Sequence, residues 1–254
     1  MAAPTLGQDQ SPIGFAPAAP PTAPAPPLAT LTAMLALLHT SSAHVPVFDA
    51  LRDEDAPGLA LHHLVRPELL SRARTQGPDA VAEDVSDELA AAARDGARVV
   101  LCTCSTIGSV AETAGAALGL PVLRVDRPMA AAAVAAGPRI AVLATVESTF
   151  APTESLLAEE ADRAGREISV RRVLVQGAWE KFETGDTDAY LATVATAARA
   201  VADTDVIVLA QASMAPAAND LALGVPVLSS PRPGLRAAAQ LAASDPNFSG
   251  LRTM

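Results

Sequence analysis

The sequence predicts an α/β fold of two pseudo-symmetric, doubly wound (flavodoxin-like) lobes, each on a parallel sheet, produced by internal duplication. Three observations carry this. Short, continuous apolar runs alternate with Ala-, Glu- and Arg-rich stretches, and such alternation gives parallel sheets with right-handed crossovers. Four of the apolar runs recur in the same order about 105 residues later. Hydrophobic residues make up 50% of the chain, charged residues 18% and aromatics only 3%, a composition suited to helices packed closely on sheets buried on both faces.

In chain order, LALLHTSSAH from Leu35 matches IAVLATVEST from Ile140, and LALHHLV from Leu59 matches ISVRRVL from Ile168. Next, VVLCTCST over 99–106 matches IVLAQASM over 207–214, and GLPVLRVDRPMAAAA from Gly119 matches GVPVLSSPRPGLRAAA from Gly224. One match is an easy accident; four in register indicate a repeat. Each half reads strand, helix, strand, helix, strand, helix, strand. The strands of the first half are MLALLH, GLALHHLV, RVVLCT and LPVLRV, with helices expected over 79–95 and, in the second half, 188–203.

Residues 1–27 hold eight of the 21 prolines and read as a disordered or polyproline-II tail. The apolar stretch 28–38 has the length of a signal-peptide core, but no Lys or Arg precedes it and the first basic residue is Arg52. It reads as the lead-in to the first strand, and the protein as cytoplasmic. A net charge of −10 argues against nucleic-acid or anionic-membrane partners, and no uninterrupted apolar run reaches the ~18 residues of a membrane span. Cys102 and Cys104 lie two apart on one strand, hence on one face, too close for a disulfide framework and too few for structural zinc.

Open parallel sheets bind ligands beyond the carboxyl ends of their strands. Those ends carry His39, Thr40, Ser41 and Ser42 after the first strand, and Cys104, Ser105 and Thr106 after the third. The second half offers Thr145, Ser148 and Thr149, then Gln211, Ala212 and Ser213. Hydroxyls and free backbone N–H groups at helix starts suit a carboxylate. The same residue types also serve as helix caps, but their concentration at four equivalent positions points to an anion pocket. Cys104 is the sharpest candidate: a thiolate at a helix start gains from the dipole, as a nucleophile or proton carrier requires. Cys102, further back, reads as a packing residue. His44 and His39 are near enough to contact a ligand, with His44 the candidate acid–base group, whereas His62 and His63 lie mid-strand and read as structural. Arg127 and Arg232, at equivalent positions after the fourth strands, could add positive charge or stand as surface arginines. No G-x-S-x-G elbow, P-loop or strand-linked G-x-G-x-x-G occurs.

The duplicated halves, with VVLCTCST in one and IVLAQAS in the other, resemble the aspartate/glutamate/hydantoin racemase superfamily, which includes maleate isomerases and arylmalonate decarboxylases. The resemblance covers 31–243. Cys104-Ser105-Thr106 is similar to that family's first Cys-Asn-Thr-type motif, and Ala144-Thr145 with Ser148-Thr149 to its Thr-containing loop after the fifth strand. It implies two cysteines flanking the substrate carbon, one from each half, no metal or organic cofactor, and a homodimer or higher homo-oligomer. It also implies that the last strand of each half crosses to the other lobe. The expected organisation is therefore a tail at 1–28, a first lobe of 29–119 plus 223–254, and a second lobe of 120–222.

The chain departs from the family at one position: Ala212 stands where the second cysteine belongs, with Ser213 beside it. Two-base racemisation needs an acid on each face of a planar carbanion. Alanine carries no proton, and a serine hydroxyl is a far weaker acid than a thiol. Three one-thiol mechanisms remain: protonation of an enediolate left by loss of carbon dioxide, thiol addition to a double bond with rotation, and one-face proton shuttling with His44 or a substrate group opposite. The expected function is a cofactor-independent enzyme acting on a small carboxylate or carbonyl compound through Cys104, with Ser213 and His44 as further catalytic candidates. The alternatives are a malonate-type decarboxylase, a non-catalytic small-acid binding protein, and an acyl-transferring enzyme with His44 as base.

Overall fold

The apolar runs become strands, and the helices between them turn their Ala- and Leu-rich faces onto the sheets. The structure, a computed structural model, describes Met1 and residues 34–244; the tail expected over 1–28 falls, but for Met1, outside the described residues. The first half runs β1 (Met34–His39), α1 (His44–Asp55), β2 (Ala60–Val65), α2 (Pro67–Gln76), α3 (Ala82–Arg94), β3 (Ala97–Cys102), α4 (Gly108–Leu118), β4 (Val122–Arg124) and α5 (Arg127–Ala136). The second runs β5 (Arg139–Ala144), α6 (Phe150–Ala164), β6 (Ser169–Leu174), α7 (Ala178–Glu183), α8 (Thr187–Arg199), β7 (Val206–Leu209), β8 (Val227–Ser229) and α9 (Pro231–Ala243).

They form two four-stranded parallel sheets in the orders β2-β1-β3-β4 and β6-β5-β7-β8. The repeat is visible in the register: Leu35 lies between Leu61 and Val99, and its counterpart Ile140 between Val170 and Val206. Two helices, not one, join the second and third strands of each half. Gly77, at φ +92°, and Pro78 end α2 before α3 can begin, and Gly185, at φ +77°, separates α7 from α8. The helix expected between the last two strands of the second half is replaced by a 3-10 segment, Ala212–Asp220, around Pro216. Proline's missing N–H cannot support a continuous α-helical ladder.

The crossing between halves also differs from expectation. β4 pairs with β3 (Val100 beside Val122) and β8 with β7, so neither last strand leaves its own sheet. The helices after them cross instead. Met129, Ala130, Ala133 and Val134 of α5 pack with Ile140, Val142, Val206 and Val208 of the second sheet. Leu235, Ala238 and Ala242 of α9 pack with Leu35, Leu37, Val99 and Leu101 of the first sheet and Phe48 of α1. The local cause is that each short strand takes its ladder bonds at home, while a proline in the first turn starts the next helix at once.

The crossing points are pinned by charge. Arg124 and Asp126, both buried, form a bidentate pair with 2.9 Å bonds, and Arg124 also reaches the Pro152 carbonyl of α6 at 3.3 Å. Arg127 bonds Glu112 of α4 and Glu160 of α6; Arg232 bonds Glu54 and Asp55 at the end of α1. These two arginines are therefore clamps on the first turns of the crossing helices, and neither lines the cavity described below.

A chain of histidines braces the carboxyl ends of the first sheet. His39 Nδ1 is 2.8 Å from Thr103 Oγ1, and its Nε2 is 2.8 Å from His63 Nδ1. The other nitrogen of His63 faces Asp49 of α1 at 3.4 Å. His39 is fully buried, and burial, reinforced by repulsion from His44 and His63, pulls its pKa down to about 3. His39 is thus a neutral strut inside the wall; the full burial that makes it one also withdraws it from ligand contact.

Two outcomes are expected. A Cβ at Gly234 would lie 2.5 Å from the backbone carbonyl oxygen of Val125, so Gly234→Ala should cost about 1–3 kcal/mol by overpacking, read as a lower urea midpoint. Second, an unfolded histidine titrates near 6.5 and His39 only near 3, so the unfolded state takes up the proton first. Stability is then present above pH 6.5 and falls as pH drops, by up to about 1.4 kcal/mol per unit. The melting temperature should decline between pH 6.5 and 4.5, with a shallower slope for His39→Asn; equal slopes would assign the acid sensitivity elsewhere.

Candidate active site

The loops after β1, β3, β5 and β7 line one cavity between the sheets, enclosing about 640 Å³ of empty space including its open mouth. Cys104 follows β3 in an extended conformation and is 8% exposed. It opens a 3-10 turn, Ser105–Ile107, that leads into α4. Ser105 and Thr106 line the cavity beside it, as do Thr40, Ser41 and His44 from the first loop. Cys102 is fully buried, its thiol 3.6 Å from the Cys104 carbonyl oxygen. Burial, together with the neighbouring Cys104, pushes that thiol far up, so it stays protonated as a packing group. Both cysteines are free.

The second half contributes Ser148, Thr149, Gln211, Ala212 and Ser213 to the lining. Ser213 Oγ lies 2.7 Å from the hydroxyl of Tyr190, a buried residue of α8. Burial raises the Tyr190 pKa to about 12, so the phenol keeps its proton. Gln211 Oε1 accepts from the backbone N–H of Thr145 at 2.6 Å and from its hydroxyl at 2.8 Å. Thr145 therefore sits behind the wall and orients Gln211, without lining the cavity. Ser42 is exposed and also lies outside the lining, because the chain has already turned outward into α1.

Ser41 Oγ accepts from the Ala43 backbone N–H at 3.3 Å just before α1, but the other lining hydroxyls are not spent on helix caps. α1, α4, α6 and the 3-10 turns before α4 and α6 carry no side-chain cap bond. The chain holds 28 Asp and Glu, yet among the described residues none lines the cavity. His44, at the first turn of α1, has a buried Nδ1 without a hydrogen-bond partner among the described residues. Burial lowers its pKa, so the ring is neutral and able to accept a proton.

Six lining residues were not anticipated from sequence: Leu70 and Arg74 on α2, Trp179 and Phe182 on α7, and Thr103 and Val146. The candidates legible in the sequence lie after the first, third and fourth strands, whereas α2 and α7 follow the second strand of each half. A signal existed in the lone tryptophan of an aromatic-poor chain. The Arg74 guanidinium carbon lies 5.7 Å from the centre of the Trp179 ring, and among the described residues Arg74 has no ion-pair partner. Among the described residues, no group of three His, Cys, Asp or Glu is placed to hold a metal ion.

Several solved structures share this fold. A glutamate racemase from Bacillus anthracis aligns at TM-score 0.63 and 18% identity, covering 82% of this chain and 81% of its own. An aspartate racemase homologue from Pyrococcus horikoshii aligns at TM-score 0.62 and 13% identity, covering 83% and 99%. A glycine-to-cysteine variant of arylmalonate decarboxylase, in a sulfate-associated form, aligns at 0.55 and 24%, covering 84% and 94%. At these identities the likeness is one of fold. No curated protein matches the sequence itself. The Asp/Glu/Hydantoin racemase family profile, however, matches residues 45–238. That match spans most of the chain, and the protein belongs to the Asp/Glu/Hydantoin racemase family.

Proposed function

We propose that the protein is a cofactor-independent enzyme of the isomerase type, moving a proton at the carbon beside the carboxylate of a small acid, with the Cys104 thiol as proton carrier. The observation that supports this most directly is the position of Cys104 in a cavity lined by both halves and, among the described residues, free of carboxylates. Hydroxyls of Ser105, Thr106, Ser148 and Thr149 are available to the substrate carboxylate. They would stabilise the enediolate that forms when the proton leaves, where charge develops in the transition state.

The two halves supply unequal chemistry. The first offers a thiol and His44, whose buried Nδ1 has no hydrogen-bond partner among the described residues. The second offers Ala212 and the Ser213–Tyr190 pair, whose phenol holds its proton up to about pH 12. Proton exchange through Cys104 and His44 is therefore favoured over a symmetric two-thiol reaction. A second reading, favoured by the same Ala212, is decarboxylation. The bond to a carboxylate breaks, its electron pair enters the enediolate, carbon dioxide leaves, and the Cys104 proton passes to carbon; solvent then reprotonates the thiolate. In either case the proposed setting is the cytoplasm, where two thiols stay reduced, and the proposed partners are a small carboxylate and further copies of the chain.

Proton NMR in deuterated buffer, with aspartate, glutamate, hydantoins, maleate and arylmalonates, distinguishes these readings. Deuteration or isomerisation indicates proton transfer, and carbon dioxide loss the second reading. Cys104→Ala should lower turnover at least about 10²-fold with an unchanged melting curve; activity retained in that variant would remove the thiol from the mechanism. Ala212→Cys should add a proton carrier on the second face and increase racemisation of an enantiopure product; an unaltered stereochemical outcome would mean the second-half loop does not reach the reacting carbon.

A further inference from the structure

We propose that Arg74, Trp179 and Phe182 form a specificity subsite that selects acids carrying a flat apolar group over compact polar dicarboxylates. This rests on the reading that the cavity binds a small carboxylate.

The chain has one tryptophan and one tyrosine, and both belong to a single stack. The rings of Trp179 and Phe182 are 5.3 Å apart at 29°, and those of Phe182 and Tyr190 5.3 Å apart at 51°. Trp179 and Phe182, three residues apart on α7, share one helix face and line the cavity. Tyr190 is buried behind them and tied to Ser213. The stack is thus anchored at its inner end and presents a preformed flat wall at its outer end. A ligand ring meets such a wall at little entropic cost.

Arg74 brings charge to the same wall from the other half. It lies one helical turn from Leu70 on α2, and both line the cavity. Its guanidinium rests on the Trp179 face and has no ion-pair partner among the described residues. A planar guanidinium can keep its face on an aromatic ring while its edge donates to a carboxylate. A ligand with both a carboxylate and a flat apolar group satisfies Arg74 and covers Trp179 and Phe182 together. A compact dicarboxylate satisfies the cation but leaves the apolar wall facing water.

Trp179 is the only tryptophan, so intrinsic fluorescence reports on this wall without requiring turnover. Phenylacetate should change Trp179 emission saturably and bind at least tenfold more tightly than acetate or aspartate by calorimetry. Arg74→Gln, on the exposed side of α2, should weaken phenylacetate about tenfold, and Trp179→Leu should abolish the preference over acetate, with circular dichroism confirming that each variant is folded. Equal affinities for phenylacetate and acetate, or tighter binding of aspartate, would overturn the subsite. Protection of Cys104 from iodoacetamide separates the two levels. Protection by acetate or aspartate without a phenylacetate preference removes the subsite and leaves the carboxylate cavity standing; protection by none removes both.

Discussion

The exchange of α5 and α9 between the two sheets is the constraint on which the site depends. Each sheet has one face closed by a helix that follows the last strand of the other half. Neither sheet can be covered on both faces by its own segment alone, so each half completes its core only by engaging the other. Burying a leucine such as Leu235 contributes about 2 kcal/mol, and α5 and α9 together bury seven apolar side chains in the opposite halves. The crossings are held by the buried Arg124–Asp126 pair and by the Arg127 and Arg232 clamps. A buried ion pair is weak evidence for stability but a strong determinant of geometry, since breaking it strands a charge. The consequence is that the carboxyl ends of both sheets open onto one cavity.

Within that cavity the duplication has diverged in chemistry while keeping its geometry. Corresponding loops after the third strands carry Cys104 in one half and Ala212 in the other. The Ser213 hydroxyl of the second half is engaged by Tyr190, whereas the first half combines a thiol with a histidine whose Nδ1 has no partner among the described residues. Among the described residues of this acidic protein no carboxylate lines the cavity, and the cation that does, Arg74, has no ion-pair partner among them. In a partly enclosed space, charges are screened less than in water, so the Arg74 cation acts there more strongly than it would at an open surface of this acidic chain.

The walls of the cavity are stiffened from behind. His39 links Thr103 to His63, and Gln211 is clasped by Thr145. Neither His39 nor Thr145 lines the cavity, yet each fixes a residue that does. This separation of lining from support explains why residues adjacent in sequence take different roles: Thr40 lines the cavity and His39 braces it, and Cys104 faces the cavity while Cys102 packs in the core.

What the sequence by itself determined is the part governed by local pattern and by the repeat. Period and apolarity placed the strands, the four recurring segments placed their carboxyl ends, and eleven of the residues singled out at those ends do line the cavity. That Arg127 and Arg232 are clamps, that His39 is a strut, and that Ser42 and Thr145 lie outside the lining was decided only in three dimensions. All but Ser42 depend on a partner distant in sequence: Glu160 for Arg127, Asp55 for Arg232, Thr103 for His39, Gln211 for Thr145. The crossing by helices and not strands, and the meeting of Arg74 with Trp179, have the same origin. Periodicity specifies which face of an element is apolar, but only packing specifies which distant surface covers it.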